Sequence, residues 1–255
     1  MKVVSFNANG IRSAAKKGFF DWAWQQDIDV LCIQETKAQE SQLDDQQFHQ
    51  SDYQRYFFDA HKPGYSGVAI YTRIKPDKVH KGLGFGIADT EGRYIQADFG
   101  NLSIASLYLP SGSSGDERQG VKFAFMEQYE DILRKQAQEG RQYILCGDWN
   151  IVHKEIDIKN FKGNQKSSGC LPAERAWVDM LLTKAGWVDA FRVLNHEPEQ
   201  YTWWSMRTNA WDRNIGWRID YQMVTENLRD SIKHVEVYRG QKFSDHAPLI
   251  VDYEI

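Results

Sequence analysis

The sequence predicts an α/β fold in which two β-sheets pack face to face and helices cover their outer surfaces. Three observations lead there. Nine apolar, β-branched runs are distributed from end to end of the 255 residues; three longer segments carry helical periodicity; and no composition break or Pro/Ser-rich linker divides the chain. Residues 1–255 therefore read as one domain built from packed layers.

The strand-like runs are Val3–Phe6, Val30–Ile33, Gly67–Thr72, Tyr94–Phe99, Leu102–Leu109, Tyr143–Cys146, Ile219–Val224, Val235–Tyr238 and Leu249–Tyr253. The helical patterns are Gly18–Gln26, Gln119–Gln138 and Ala173–Lys184. Gly140 and Gly186 close the last two where a left-handed cap is wanted. Pro172, ahead of Ala173-Glu174-Arg175, suits a first helical turn. Two stretches read as long loops: Pro110–Gln119, rich in Ser and Gly, and Ile151–Leu171. Loops of that length in a compact domain usually serve binding.

Composition is that of an ordinary globular protein, with 42% hydrophobic and 26% charged residues, and the net charge of −4 is not that of a basic nucleic-acid binder. Basic residues nevertheless gather locally, in Lys159–Lys166 and in Arg207, Arg213 and Arg218. Nine Trp, 12 Tyr and 13 Phe exceed what a core alone needs, so a minority is free to stack on bases or to fill the gap left by a missing one. Of the three cysteines, Cys32 and Cys146 lie inside strand-like runs, which reads as reduced buried thiols and not a disulfide framework or zinc site. Met1–Asn7 turns polar too soon for a secretory signal, and no run approaches the roughly 18 apolar residues of a membrane helix. A cytoplasmic protein with no membrane association is expected.

The chemistry concentrates where apolar runs end. Asn7 and Asn9 follow the first run, Glu35 follows the second, Asp148 and Asn150 follow Tyr143–Cys146, Asp220 is the second residue of Ile219–Val224, and Asp245-His246 precedes the last run. Residues two apart on an extended segment share a side, so Asp148 and Asn150 face one cleft, as do Asn7 and Asn9. A carboxylate beside a buried strand is costly unless paired, hydrogen-bonded or bound to a cation. Several strands with that feature at one end imply a shared polar site. Glu35 offers a rigidly mounted carboxylate for a hard divalent ion that keeps waters and a substrate phosphate. Asp148 suits the activation of water. Asn150 suits holding that water, or a phosphate oxygen, without adding charge. Protonated His246 suits a phosphate oxygen, and Asp220 suits fixing its tautomer. Tyr108, ending Leu102–Leu109, is placed to donate its phenol. Each feature alone has a bland reading, since Asn forms turns and buried Asp–His pairs are common structural devices; the combination and its order are specific.

The chain resembles the exonuclease III / apurinic-apyrimidinic (AP) endonuclease family, within the larger group that includes deoxyribonuclease I and inositol-phosphate phosphatases. The resemblance runs essentially from end to end. It rests on Asn7-Ala8-Asn9-Gly10-Ile11-Arg12, Gln34-Glu35-Thr36-Lys37, Gly64-Tyr65-Ser66-Gly67-Val68, Glu91-Gly92-Arg93 and Leu107-Tyr108-Leu109-Pro110-Ser111-Gly112. It continues through Cys146-Gly147-Asp148-Trp149-Asn150-Ile151, Gly163-Asn164, Gly216-Trp217-Arg218-Ile219-Asp220-Tyr221 and Ser244-Asp245-His246-Ala247-Pro248.

The resemblance implies a four-layer α/β sandwich of the deoxyribonuclease I type with mostly antiparallel sheets. It implies a Mg²⁺-dependent phosphodiesterase, with Mn²⁺ as substitute, that incises duplex DNA 5′ to abasic sites and degrades or cleans 3′ ends as a monomer. Glu35 becomes the principal metal ligand, with Asn7 beside it, Asp245 near the ion, and Asp148 and Asn150 completing the site. Asp148, Asn150, His246, Asp220 and Tyr108 become the catalytic set. Asn9, Lys37, Asn164, Trp203, Arg207 and Trp217 become DNA contacts, with the two tryptophans lining a pocket for a flipped abasic sugar. Ser111, Ser114 and Ser167 depart from the Asn or Arg that some relatives carry, which bears on DNA affinity and on the balance of endonuclease and exonuclease.

Other segments, among them Gly82-Leu83-Gly84-Phe85 and Ala173-Glu174-Arg175-Ala176-Trp177, resemble the catabolite-repression control branch of the fold, translational regulators that act with an RNA chaperone and have lost catalytic residues. An RNA–chaperone complex is the partner under that alternative. Here Glu35, Asp148, Asn150 and Asp245 are all retained, which favours the enzyme. A phosphomonoesterase or phospholipase of the wider group is weaker, because the Asn-Gly-Ile-Arg and Gly-Trp-Arg-Ile-Asp-Tyr strings resemble the DNA-directed branch.

Overall fold

The structure, a computed structural model, describes residues 1–255. The first six-stranded sheet has the order β13-β14-β1-β2-β4-β3, with β1 Lys2–Asn7, β2 Val30–Gln34, β3 Gln54–Phe58, β4 Val68–Thr72, β13 Ile232–Val237 and β14 Leu249–Tyr253. The second has the order β5-β6-β7-β8-β12-β9, with β5 Lys78–Lys81, β6 Tyr94–Phe99, β7 Leu102–Tyr108, β8 Gln142–Asp148, β9 Trp187–Asp189 and β12 Asp220–Thr225. A two-stranded ribbon, β10 Trp203–Trp204 and β11 Gly216–Trp217, stands at one end.

Each large sheet is antiparallel except for one parallel pair, β1 with β2 and β7 with β8. Parallel neighbours need a crossover. In the first sheet it is α1 Ile11–Lys16 and α2 Phe19–Ala23; in the second it is the 23-residue α4 Asp116–Gln138. The remaining helices are α3 Gly86–Thr90, α5 Phe161–Asn164, α6 Pro172–Thr183 and α7 Ala190–Leu194.

Three apolar clusters define four layers. One joins both sheets through Val3, Val30, Cys32 and Ile70 from the first and Ile95, Ile104, Ile144, Cys146 and Val224 from the second. Another packs Phe6, Leu31, Ile33 and Tyr71 under Phe19, Phe20 and Trp22 of the first crossover. The third packs Leu107, Leu145 and Tyr221 under Phe125, Tyr129 and Leu133 of α4 and Trp177 and Val178 of α6. Strands buried on both faces explain the continuous apolar runs. All three cysteines are free and buried, as expected. No helix is long and apolar enough to cross a membrane.

All nine expected strands form. Three strands of the two large sheets went unforeseen, and each has a physical reason. Gln54–Phe58 and Lys78–Lys81 are edge strands whose outer faces are polar, and Trp187–Asp189 is only three residues long. The α4 helix begins at Asp116 and not Gln119, because Gly115 starts it and Asp116 and Glu117 suit the positive first turn. The stretch Ile151–Leu171 is not a bare loop, since it contains α5 and a short 3₁₀ turn at Glu155–Asp157. One sequence reading is corrected: Arg218 does not contribute to a basic surface. It is fully buried, and it bonds Asp157 at 2.8 Å and Asp189 at 2.7 Å.

Candidate active site

The two parallel pairs point their C-terminal ends the same way, and the chemistry collects there, as is common in α/β proteins. Asn7 ends β1, Glu35 follows β2, and Tyr108 and Asp148 end β7 and β8. The antiparallel neighbour β12 delivers Asp220 opposite Asp148 in register, and the turn before β14 delivers Asp245 and His246. Together they border a cleft of about 710 Å³.

At its floor, buried Asn7 donates its Nδ2 to Glu35 Oε1 at 3.0 Å and to Asp148 Oδ2 at 2.8 Å, while its Oδ1 accepts the Asn9 N–H at 2.9 Å. This fixes the amide with its nitrogen toward the carboxylates, so Asn7 spaces the two acids and does not offer them an oxygen. Asp148 Oδ1 accepts the Asn150 N–H at 2.8 Å, and the Asn150 side chain donates to the Leu109 carbonyl at 2.8 Å. His246 is held between aspartates, Nδ1 at 2.9 Å from Asp220 Oδ2 and Nε2 at 3.8 Å from Asp148 Oδ2. Ser244 Oγ accepts the His246 N–H at 2.9 Å and donates to the Asn7 carbonyl at 2.7 Å, tying that turn to β1.

On the rim, Lys37 Nζ lies 2.8 Å from Glu35 Oε2, and Asn9 donates to Asp245 Oδ1 at 2.9 Å. Trp203 donates Nε1 to Asp245 Oδ2 at 3.0 Å and meets Trp217 edge to face, with centroids 5.9 Å apart. Arg93 lies 4.6 Å over the Tyr108 ring and bonds Glu91, which also receives Arg118. Asn9, Glu35, Lys37 and Asn150 all hold positive φ. For residues other than glycine this conformation is costly, and it clusters at functional sites.

The electrostatics match the crowding. Burial, Asp220 and Glu35 push the Asp148 carboxyl up to about 8, against the opposing pull of His246. Burial alone would lower His246; Asp220, Asp148 and Asp245 overcome it and raise the imidazole to about 10. Burial and the nearby Glu35 charge hold the Tyr108 phenol well above its usual value. Asp245 is partly buried, which would raise its carboxyl, yet His246, Asn9 and Trp203 hold it below the ordinary value. His246 and Lys37 are the two cations set directly against Glu35, Asp148, Asp220 and Asp245, so the group carries an excess of carboxylates. Glu35 and Asp148 present carboxylate oxygens within 4.8 Å of each other, while His246, close enough to join them, is held as a cation and offers no lone pair. The donor set suits a divalent cation.

Of the expected residues, Asn9, Glu35, Lys37, Tyr108, Asp148, Asn150, Trp203, Trp217, Asp245 and His246 border the cleft, with Asn7 and Asp220 directly behind them. Two do not reach it. Asn164 donates to the Asn160 carbonyl within its own short helix, and exposed Arg207 bonds locally to Ser205. Arg93, Arg118 and Gly169 border the cleft but were not picked as site residues. The Glu91-Gly92-Arg93 string was the available signal for the first; nothing in the sequence marks the other two.

A four-layer sandwich with carboxylates, an amide and an Asp-held His at one end of both sheets defines a metal-assisted phosphoesterase. The chain belongs to the Endonuclease/Exonuclease/phosphatase family, whose model matches residues 4–246. It is 39% identical to an exodeoxyribonuclease of Bacillus subtilis over 251 residues, covering 98% of both chains. It is 35% identical to the DNA repair nuclease APEX1 of Danio rerio over 254 residues, covering 98% of this chain and 81% of that one. An AP endonuclease structure from Archaeoglobus fulgidus superposes with a TM-score of 0.90 at 26% identity, covering both chains fully.

Proposed function

We propose that this chain is a divalent-metal-dependent phosphodiesterase of duplex DNA, of the exodeoxyribonuclease and AP endonuclease type. It incises 5′ to abasic sites and trims or cleans 3′ ends. Residues 1–255 act as one domain and as a monomer in the cytoplasm, with Mg²⁺ as the metal and Mn²⁺ as substitute. The observation that carries the reading is the continuous chain of contacts Asp220–His246–Asp148–Asn7–Glu35 along the cleft floor. The enzymatic relatives over nearly the whole chain support it.

Glu35 would be the main metal ligand, with the Asp148 carboxylate nearest to it and Asp245 at the edge. When bound, the divalent ion supplies Lewis-acid stabilisation of charge on the phosphate. The chain's own groups do the rest. Asp148, anchored by Asn7 and the Asn150 N–H, orients the attacking water and takes its proton. Asn150 presents an amide to that water or to a phosphate oxygen. His246, held protonated by Asp220, faces the phosphate as a cation and stabilises the negative charge that grows there. Tyr108, its phenol kept protonated by burial and Glu35, donates a hydrogen bond to the phosphate or leaving oxygen. Asn9 and Lys37 steady the strand on one rim. Trp203 and Trp217 form an apolar wall against which a baseless sugar fits. Asn164 and Arg207 act outside the cleft, on flanking backbone.

Against the alternative translational-regulator reading stand Glu35, Asp148, Asn150, Asp220, Asp245 and His246, all retained at or directly behind the cleft. The test is incubation of a labelled duplex bearing one abasic site with the purified protein, first with Mg²⁺ and then with chelator. Metal-dependent nicking at that site is expected; no nicking with either Mg²⁺ or Mn²⁺ overturns the proposal.

A further inference from the structure

Beneath the cleft wall lies a charged pair that the mechanism above does not use. Lys122, one turn after Arg118 on α4, is fully buried, as is Glu174 in the first turn of α6, and their charged atoms lie 2.6 Å apart. Burial disfavours the ammonium, while Glu174 and Asp148 favour it. Such a pair contributes little net stability, because apolar residues of similar volume would fill the space as well or better.

What apolar residues cannot reproduce is the set of further bonds. Lys122 Nζ donates to the Asn150 carbonyl at 2.8 Å. Glu174 Oε2 accepts the Gly169 N–H at 2.6 Å and the Leu171 N–H at 3.0 Å, and Gln119 donates to its other oxygen at 3.0 Å. The pair thus holds together two segments that pack against each other beside the cleft, the Asp148–Asn150 turn and Ser167–Leu171. Asn150 is the residue with positive φ whose N–H anchors Asp148. Gly169 is pressed against it: a Cβ built there would lie 2.8 Å from the Asn150 carbonyl oxygen and 3.3 Å from the Trp217 ring. The Val152 N–H donates to the Gly169 carbonyl at 2.8 Å and closes the contact from the other side.

We propose that Lys122 and Glu174 form a buried staple that fixes the distance between Asp148–Asn150 and the Trp217 wall, which makes Lys122 a positioning residue for hydrolysis. Without the ammonium, the Asn150 carbonyl loses its partner, and the strained turn is free to relax and take the Asp148 carboxylate with it. Without the carboxylate, the Gly169 and Leu171 amides are released and the segment behind Trp217 loosens. The inference rests on reading the cleft as a nuclease site, but part of its test does not.

The test compares the parent with Lys122→Met and with Lys122→Met combined with Glu174→Leu. The double variant removes both charges together and should melt below the parent by the few lost hydrogen bonds but above the single variant, which also strands a buried carboxylate. In the double variant, kcat on the abasic duplex with Mg²⁺ should still fall by about tenfold to a hundredfold, the scale of loss from slight misplacement of reacting groups. Amide exchange at Gly169 and Leu171, followed by mass spectrometry in chelator, should speed up by about tenfold or more as local opening becomes easier. Parental kcat in a double variant that folds would overturn the proposal, as would unchanged exchange at those two amides. A parent that fails to nick, with exchange still accelerated in the variants, would overturn the nuclease reading and keep the staple. If the double variant does not fold, Lys122→Met studied below its own transition carries the same two readouts.

Discussion

Asp220 and Asp148 are register partners on neighbouring antiparallel strands, and His246 is suspended between their carboxylates. The strand ladder therefore sets the geometry of the imidazole before any substrate arrives. Asp220 is the closer partner: its Oδ2 meets the imidazole, and its buried Oδ1 has no hydrogen bond. Its main work is electrostatic.

Replacing Asp220 with Asn should lower the His246 pKa from about 10. A histidine raised in the fold contributes stability that is complete below its unfolded value near 6.5 and is lost as pH rises through the folded value. The melting advantage of the parent over Asp220→Asn should thus be largest near pH 6 and shrink toward pH 10. The alkaline limb of the nicking rate should move to lower pH in the variant. An unchanged pH–rate profile would show that Asp220 does not hold the proton on the imidazole.

Asp148 carries the opposite sign. Its carboxyl, pushed up to about 8 by burial, Asp220 and Glu35, keeps its proton in the fold when the unfolded chain has already lost it. Ionisation then penalises the fold increasingly from about pH 4 to pH 8. In chelator, Asp148→Asn should gain melting temperature over the parent as pH rises across that interval. Nicking should fall by about 10²–10⁴-fold, as for loss of a general base. DNA binding should persist, since a negative charge facing the phosphate is gone. Loss of binding in step with rate would make Asp148 a structural residue.

Much of this site is legible in the sequence because its residues close the most apolar strands. Glu35 after Val30–Gln34 and Asp148 at the end of Gln142–Asp148 stand out against hydrophobic runs; Asn150 shares the cleft with Asp148 as expected, but through a turn at positive φ beyond the strand end and not by strand alternation. What stays hidden is set by tertiary packing. Trp203 and Trp217 meet through a ribbon of two residues per strand, too short to leave a strand pattern, so in the sequence their pairing rests on the family resemblance alone. Arg218 looks like one more surface cation until Asp157 and Asp189, far away in sequence, enclose it. The family resemblance puts Asn7 beside the metal ligands, and only the Asn9 N–H on its Oδ1 shows which way its amide faces.

Glu35→Gln isolates the metal. The substitution keeps the acceptor for Asn7 but removes a charge from the group of Glu35, Asp148 and His246. Nicking at limiting Mg²⁺ should nearly vanish and recover in part at high Mg²⁺, and calorimetric Mn²⁺ binding should weaken. Melting in chelator should stay near the parent value. Near-parental nicking at low Mg²⁺ would remove Glu35 from the ligand set.

Arg218 tests the support below the cleft. Arg218→Met leaves Asp157 and Asp189 buried, with only Arg192 still on Asp157 at 2.7 Å. A loss of about 3–5 kcal/mol in urea unfolding is expected for breaking a buried pair. Asp157 is buried, but Arg218 and Arg192 hold it down to about 2, so its contribution exists above the unfolded value near 3.8 and is lost as pH falls toward 2. The parent should lose stability over that acid window more steeply than the variant. Equal slopes would place the acid sensitivity elsewhere.

Trp217 decides what the cleft accepts. Its ring meets Trp203 edge to face at 5.9 Å, and Trp203 is fixed in turn by Asp245, so the wall is tied to the catalytic turn. Extruding a nucleotide costs a few kcal/mol, and least where no base is stacked, so a wall shaped to a bare sugar adds to a preference the damaged duplex already has. Trp217→Ala removes the ring that packs on Gly169 and opens that side of the cleft. It should reduce abasic-site incision more than binding to intact duplex, and narrow the rate ratio between abasic and undamaged substrates. Paired measurements of kcat/KM on the two duplexes check this. An equal fall on both substrates, with the ratio preserved, would mean that Trp217 supports the fold of the rim and does not read the missing base.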